Sequence, residues 1–263
     1  MLRKLILTII GVALAVGANA ATLTESLDKS YDVRPGTAFK LSNVNGAVEV
    51  HAWDQPRIHI TATKKVESRD ADDAKAAMRE LKIEITQSAS GFNVNTQYPN
   101  RDGGIFDWLT GSNVNMQVHY TINVPRQMSL GVETVNGSLS IEGVSGTMKL
   151  ETVNGAIELV RCGGKVDAET TNGAIRAQLA TVTPNQPMRF ETTNGRITLE
   201  VPATYAARID AETTNGGIKS DLPIVTSRVE RNSLRGTLNR GTADLILRTT
   251  NGGIELRNGS AAR

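Results

Sequence analysis

The side chains with the most chemical potential are carboxylates that recur at a fixed interval. Glu133, Glu151, Glu169, Glu191 and Glu212 each stand three residues before an Asn-Gly pair. Two carboxylates flanking one bond can hydrolyse a glycoside, and a base beside Ca²⁺ can run a lyase reaction. Here the carboxylates form a regular series and not a unique pair, so the expectation is the solvated face of a repeat. The Gly-Gly-x-Gly-x-Asp calcium repeat is absent.

The three histidines, His51, His59 and His119, all precede the repeats. By strand parity His51 and His59 point outward and flank an Asp54-Gln55-Pro56 turn, which makes them candidate cross-strand neighbours. Without a third ligand they do not make a metal site. No Ser-His-Asp arrangement or phosphate-binding glycine loop stands out. Cys162 lies in the turn Arg161-Cys162-Gly163-Gly164. Arg161 would lower its pKa, but no histidine accompanies it, so an incidental thiol is expected. These residues imply no catalytic group, no metal and no cofactor.

The elements that position the carboxylates are encoded by the repeat itself: apolar, Glu, Thr, Val or Thr, Asn, Gly, any residue, Ile or Leu. Its corners are Asn136-Gly137, Asn154-Gly155, Asn172-Gly173, Asn194-Gly195, Asn215-Gly216 and Asn251-Gly252. The glycines are 18, 18, 22, 21 and 36 residues apart, the last step being two of 18. Such a period marks a repeat architecture in which each unit buries its apolar face against its neighbours. Before the corner, alternation turns residues such as Leu130 and Val132 inward and the Glu outward. After it, parity flips and Leu139, Ile157, Ile175, Ile197, Ile218 and Ile254 face in. Gly is read as supplying a sharp bend, and Asn as tolerating a left-handed backbone.

Two all-β folds fit. In a β-solenoid the asparagines stack about 4.8 Å apart as an internal amide ladder. In an antiparallel meander each Asn-Gly is a type I′ hairpin, with Thr152 facing Ile157 and Leu150 facing Leu159. Charge does not decide: the solenoid stacks like charges, and the meander pairs Glu169 with Arg176 but also Glu151 with Glu158. Identity of Thr and Asn in every copy favours the solenoid, because stacking rewards it and a hairpin does not. A worn copy is read around Leu234–Leu238, between Gly216 and Gly252.

Arg3 and Lys4, an apolar run to Gly17, and Ala18-Asn19-Ala20 read as a secretory signal peptide over 1–20, cut after Ala20. Its removal leaves 27 basic residues against 27 acidic ones. A neutral chain with 4% aromatic residues lacks the footprint of a nucleic-acid binder. No later segment is long and apolar enough to span a bilayer. With Cys162 alone, no internal disulfide forms.

Residues 37–50 match the repeat, with Asn45-Gly46 as its corner, so the N-terminal region, 21–128, shares the architecture of the repeats at 129–263. Between lie expected strands at 57–63, 83–86, 92–96 and 114–124. A helix is expected over 70–81, capped by Asp70 and presenting Ala74, Ala77, Met78 and Leu81 on one face. An apolar loop over 101–113 carries Ile105, Phe106, Trp108 and Leu109. It is read either as folding back on the core or as docking a partner or membrane surface.

The ordered set Leu41-Ser42-Asn43-Val44-Asn45-Gly46-Ala47-Val48-Glu49-Val50, Tyr120-Thr121-Ile122-Asn123-Val124-Pro125 and the Thr-Val-Asn-Gly or Thr-Thr-Asn-Gly copies, behind a signal peptide, resembles the DUF4097 family of adhesin-like domains. That family is related to head-domain adhesin-like proteins named for a Gly-Ile-Asn motif, and the resemblance spans residues 35–257. It implies a right-handed, pectin-lyase-like parallel β-helix without catalytic residues and an envelope role.

The expected function is that of an exported, non-enzymatic envelope protein, periplasmic or at the cell surface. The column Val135, Val153, Thr171, Thr193, Thr214 and Thr250, beside Glu151, Glu169, Glu191 and Glu212, is the candidate face for a polymer or protein partner. The alternatives are a periplasmic scaffold or envelope-stress component acting through Ile105–Leu109, by peripheral membrane contact or self-association, and a carbohydrate-active enzyme using Glu169 or Glu191.

Overall fold

The computed structural model describes residues 8–17, 20–34, 36–88, 91–99, 114–182 and 186–259. In chain order the elements are β1 (Thr8–Gly17), β2 (Ala20–Asp32), β3 (Ala38–Ser42), β4 (Val48–Trp53), β5 (Arg57–Ser68), α1 (Ala71–Glu80), β6 (Lys82–Gln87), β7 (Gly91–Gln97) and β8 (Val114–Pro125). There follow β9 (Ser129–Asn136), β10 (Leu139–Glu142), β11 (Ser145–Asn154), β12 (Ile157–Asn172), β13 (Ile175–Thr181), β14 (Met188–Asn194) and β15 (Ile197–Val201). The last are β16 (Ala207–Asn215), β17 (Ile218–Ser220), β18 (Val225–Glu230), β19 (Ser233–Leu238), β20 (Asp244–Asn251) and β21 (Ile254–Asn258).

All these strands belong to one open, curled sheet, and α1 is the one helix among the described residues. The sheet folds into two faces that meet at the Asn-Gly corners. One face runs β6-β7-β3-β9-β11-β12-β14-β20-β16-β19-β18. The other runs β1-β2-β5-β8-β4-β10-β12-β13-β15-β21-β17. Strand β12 belongs to both. It crosses between them near Arg161 (φ 52°) and Gly164 (φ 90°), backbone conformations that let the chain turn in few residues.

The core lies between the faces. Alternation buries Leu150, Ala168 and Phe190 from the first face against Ile157, Ile175 and Ile197 from the second. At the far end the pattern fades: β17 is three residues long, Ile218 is half-buried and Ser220 is exposed. Helix α1 closes the other end. Asp70 accepts hydrogen bonds from the Asp72 and Asp73 backbone N–H groups, and Ala74 and Ala77, with Leu81 just past the last turn, enter the core.

Parallel pairing of β9, β11, β12 and β14, with Asn136, Asn154, Asn172 and Asn194 in register, overturns the alternative of Asn-Gly hairpins. The order of the last copies also differs from the sequence reading. Strands β20 and β21, made last, insert between β14/β15 and β16/β17. The supposed worn copy at Leu234–Leu238 is instead β19, an antiparallel strand that pairs β16 and carries β18 as the sheet edge. The two-step spacing of 36 residues therefore hides an excursion and a return, and not a missing coil.

At five of the seven corners the glycine serves a different purpose from the one expected, whereas Gly46 (φ 116°) and Gly252 (φ 158°) do take the positive φ that favours glycine. Gly137, Gly155, Gly173, Gly195 and Gly216 do not adopt left-handed conformations. A Cβ on any of them would overlap the carbonyl oxygen of the neighbouring corner glycine. Close approach of stacked backbones, not bend geometry, excludes a side chain. Nor are the corner asparagines left-handed.

Candidate functional site

The outward face before each corner carries two parallel columns. Glu133, Glu151, Glu169 and Glu191 follow one another in register across β9, β11, β12 and β14. Arg248 of β20 comes next, and Glu212 of β16 ends the series. The Arg that replaces Glu in the last copy thus stands between two glutamates, where it interrupts the like-charged column. Its Nη2 donates to Asp210 Oδ2 at 2.7 Å, and its Nε lies 3.9 Å from Glu212 Oε2. Arg248 above all, with Arg235 at 3.1 Å, holds the Asp210 carboxyl below the usual carboxylate range. Further along, Lys149 reaches Glu151 at 2.7 Å and Arg189 reaches Glu191 at 2.5 Å, so alternate glutamates are neutralised from within their own strands. The hydrogen bond and charge of each glutamate push the Lys149 and Arg189 pKa values up.

Two residues after each Glu stands the second column, in spatial order Val135, Val153, Thr171, Thr193, Thr250 and Thr214. The four threonines and Val153 are exposed. One shallow depression is lined by Glu133, Val135, Glu151, Val153, Glu169 and Thr171. The next is lined by Glu169, Glu191, Thr193, Arg248, Thr250 and Thr214. They share Glu169 and form one trough running across the rungs.

Between the two columns lies a third that the sequence reading missed. Thr134, Thr152, Thr170, Thr192, Thr249 and Thr213 point inward and are buried. From Thr152 onward each hydroxyl donates to the carbonyl of a neighbouring corner glycine, Gly137, Gly155, Gly173, Gly195 and Gly252, at 2.8–2.9 Å. These bonds satisfy polar atoms that burial would otherwise penalise. The signal was present, since Thr occupies this position in all six copies, but alternation alone would have put an apolar residue there.

The asparagine ladder forms, but at the surface and not internally. In the order Asn45, Asn136, Asn154, Asn172, Asn194, Asn251, Asn215, each side-chain amide after the first donates to the side-chain carbonyl oxygen of the asparagine before it, at 2.7–2.9 Å. Asn45 is buried and starts the ladder by donating to the Met116 carbonyl at 3.2 Å, whereas Asn154 to Asn215 are exposed. The ladder fixes the register of the trough.

The histidines do not meet. His51 and His59 both lie opposite Asn123, on the two sides of β8, so one strand separates them. His51 Nδ1 lies 3.1 Å from Glu142 Oε2. His59 joins Ser30 Oγ at 2.8 Å and Asp28 Oδ2 at 3.3 Å, a Ser-His-Asp contact that sequence separation concealed. Ser30 lies directly opposite His59 in the β2–β5 pair, which runs from Ala21 to Asp32. Among the described residues no group of three His, Cys, Asp or Glu is placed to hold a metal, and no helix is long and apolar enough to cross a membrane. Cys162 is buried, with Sγ 3.3 Å from the Ile141 carbonyl, and burial pushes its pKa up. Arg161 pairs with Glu142 instead of activating it. Ile105, Phe106, Trp108 and Leu109 lie outside the described residues.

A family model described as Toastrack DUF4097 matches residues 110–257. Among solved structures, the chain is similar to a candidate cell adhesion protein from Clostridium sporogenes, at 13% identity and a TM-score of 0.46, over 89% of this chain and 100% of that one. It is also similar to a candidate adhesin from Bacteroides fragilis, at 8% identity and a TM-score of 0.40, over 89% and 97%. No curated protein matches the chain.

Proposed function

The chain belongs to the Toastrack DUF4097 family, and from that premise we propose that it is an exported, non-enzymatic envelope protein whose Glu/Thr trough docks an extended polymer or protein. The observation that carries this reading is the continuity of the trough across β9, β11, β12, β14, β20 and β16. Equivalent groups recur there at about the 4.8 Å strand spacing, so contacts to a repetitive ligand add along the face. In this reading residues 1–20 are a leader cut after Ala20, and coils of 18–22 residues wind right-handed. The general right-handedness of crossovers between parallel strands supports that hand. The leader sends the chain to the periplasm or cell surface.

The structure orders the threonines Thr171, Thr193, Thr250, Thr214, so the test substitutes three adjacent rungs. Wild type and the Thr171→Lys, Thr193→Lys, Thr250→Lys variant are co-sedimented with purified cell-wall sacculi and with insoluble neutral polysaccharides. The expected result is binding by wild type and at least a tenfold loss in the variant. Thermal stability should stay within about 2 °C, since exposed substitutions cost little. Equal binding by both proteins, or none by wild type, refutes the trough as the docking surface. Protease accessibility on intact cells then separates the surface from the periplasm.

A further inference from the structure

We propose that the exported chain forms a two-fold dimer through antiparallel pairing of β2 with β2 of a second copy; this rests on the export reading, because loss of residues 1–20 removes β1. In the described structure β2 is paired on one side by β5 and on the other by β1, from Ala20 to Asp28. Cutting after Ala20 takes away all of β1 and leaves one complete edge of β2 without a neighbour. Its backbone donors and acceptors then template another strand.

This edge differs from the others. β6, β17 and β18 are six, three and six residues long, and short edges are a standard protection against pairing. β18 also places Arg228 and Glu230 at the surface. β2 is 13 residues long, of which Ala21 to Asp32 remain after the cut, and it contains no proline. The irregularity in its pairing with β1 falls on the β1 side, between Ile10 and Val12, while β2 runs on unbroken.

The sequence of β2 is complementary to itself in one register. Centred on Leu27, an antiparallel pair sets Leu27 against the partner's Leu27, Glu25 against the partner's Lys29 and Leu23 against the partner's Tyr31. On the opposite face it sets Thr24 against the partner's Ser30 and Ser26 against the partner's Asp28. Centring on Glu25, Asp28 or Lys29 puts like charges directly opposite, which destabilises a pair. Centring on Ser26 sets Lys29 against the partner's Leu23. Only the Leu27 register matches charge with charge and apolar with apolar, and the two-fold makes each favourable pair occur twice.

The test uses the full chain expressed with its leader and purified after export, and intact mass establishes where it begins. Light scattering and sedimentation from about 1 to 100 µM should show a dimer that starts at Ala21. Lys29→Glu faces Glu25 twice with like charge and should weaken the dimer roughly tenfold. Leu27→Cys in a Cys162→Ser background should crosslink to itself with a short bifunctional maleimide, and Thr24→Cys should not. Cytosolic chain that keeps residues 1–20 should be monomeric, since β1 covers the edge. A processed chain that is monomeric throughout, or a dimer indifferent to Lys29→Glu, overturns the dimer and leaves export standing. A purified chain that retains residues 1–20 refutes the export reading and, with it, the open edge.

Discussion

From β9 to β15 the rungs stack in the order in which the chain makes them; at the C-terminal end they do not. β16/β17 is made first yet is the last of the stacked parallel rungs, and β20/β21 returns to fill the place between it and β14/β15. The local chemistry of the two regions is nonetheless the same. The inserted corner donates from the Asn251 amide to Asn194 and receives from Asn215, as Asn172 does with its own neighbours. Stacking specificity is therefore carried by each corner and not by chain connectivity. The corner motif sets which surfaces fit; it does not set which copy lies next to which.

The largest effects should come from the corner glycines, and they test that equivalence directly. Gly173→Ala, in the ordered region, and Gly252→Ala, in the inserted rung, each drive a Cβ into a neighbouring glycine carbonyl. Both should cost about 3 kcal/mol by denaturant unfolding, the upper range for overpacking against backbone that cannot yield. Gly217→Ala is the control: its nearest new contact, the Arg231 carbonyl at 3.9 Å, is ordinary, and the change should stay within about 0.5 kcal/mol. A mild Gly252→Ala would show that β20/β21 is a loosely attached addition.

Charge should separate the regions where packing does not. Lys149 serves the ordered part of the Glu column as an exposed partner of Glu151, and Lys149→Ala should leave stability unchanged. Arg248 is less exposed and binds Asp210 while separating Glu191 from Glu212. Arg248→Glu should cost about 1–2 kcal/mol at low salt and less at high salt. Asp210 contributes to the acid response. Its folded pKa is depressed, so its contribution is complete above the unfolded value of about 4 and is lost as pH falls through the folded one. As pH falls below about 4, Asp210→Asn should therefore lose stability less steeply than wild type.

The inner threonines come next in size. Thr170→Val and Thr249→Val keep shape but remove a buried side chain's hydroxyl that donates to a corner carbonyl, and each should cost about 1 kcal/mol. Thr171→Val, one residue further on and facing the trough, should change stability by less than about 0.5 kcal/mol. A cost at Thr171 equal to that at Thr170 would mean that the outward column is structural and not a free docking face.

These pairs also mark what was legible in the sequence. Parity identified Leu150, Phe190, Ile175 and their equivalents as core, because period-2 alternation is a local property of a strand. The Asn and Glu columns were legible because stacking repeats residue identity. The inner Thr column was hidden by the same parity rule, since its hydroxyls are satisfied by carbonyls one rung away. The insertion of β20/β21 could not be read because Asn251-Gly252 and Asn215-Gly216 carry the same motif, and nothing local distinguishes an inner from an outer rung. The Ser30-His59-Asp28 contact depends on the pairing of β2 with β5, and the separation of His51 from His59 on β8 lying between them, and both enter only through long-range pairing.

The smallest effect gives the sharpest test of spatial against sequence order. In the ladder, Asn172 and Asn251 each donate one amide bond and accept another, while Asn215 donates to Asn251 and ends the row. If position in space governs, Asn172→Ala and Asn251→Ala should each cost about 1 kcal/mol and Asn215→Ala about half that, as these exposed bonds are worth less than buried ones. If sequence order governed, Asn251 would be the terminal member and Asn215 an interior one, and the ranking would reverse. Urea midpoints of the three single variants, with the slope held common, resolve a difference of this size because each change leaves the core untouched. Equal costs at all three would mean that the ladder does not act as a connected row, and that the glycine and threonine contacts alone hold the inserted rung in register.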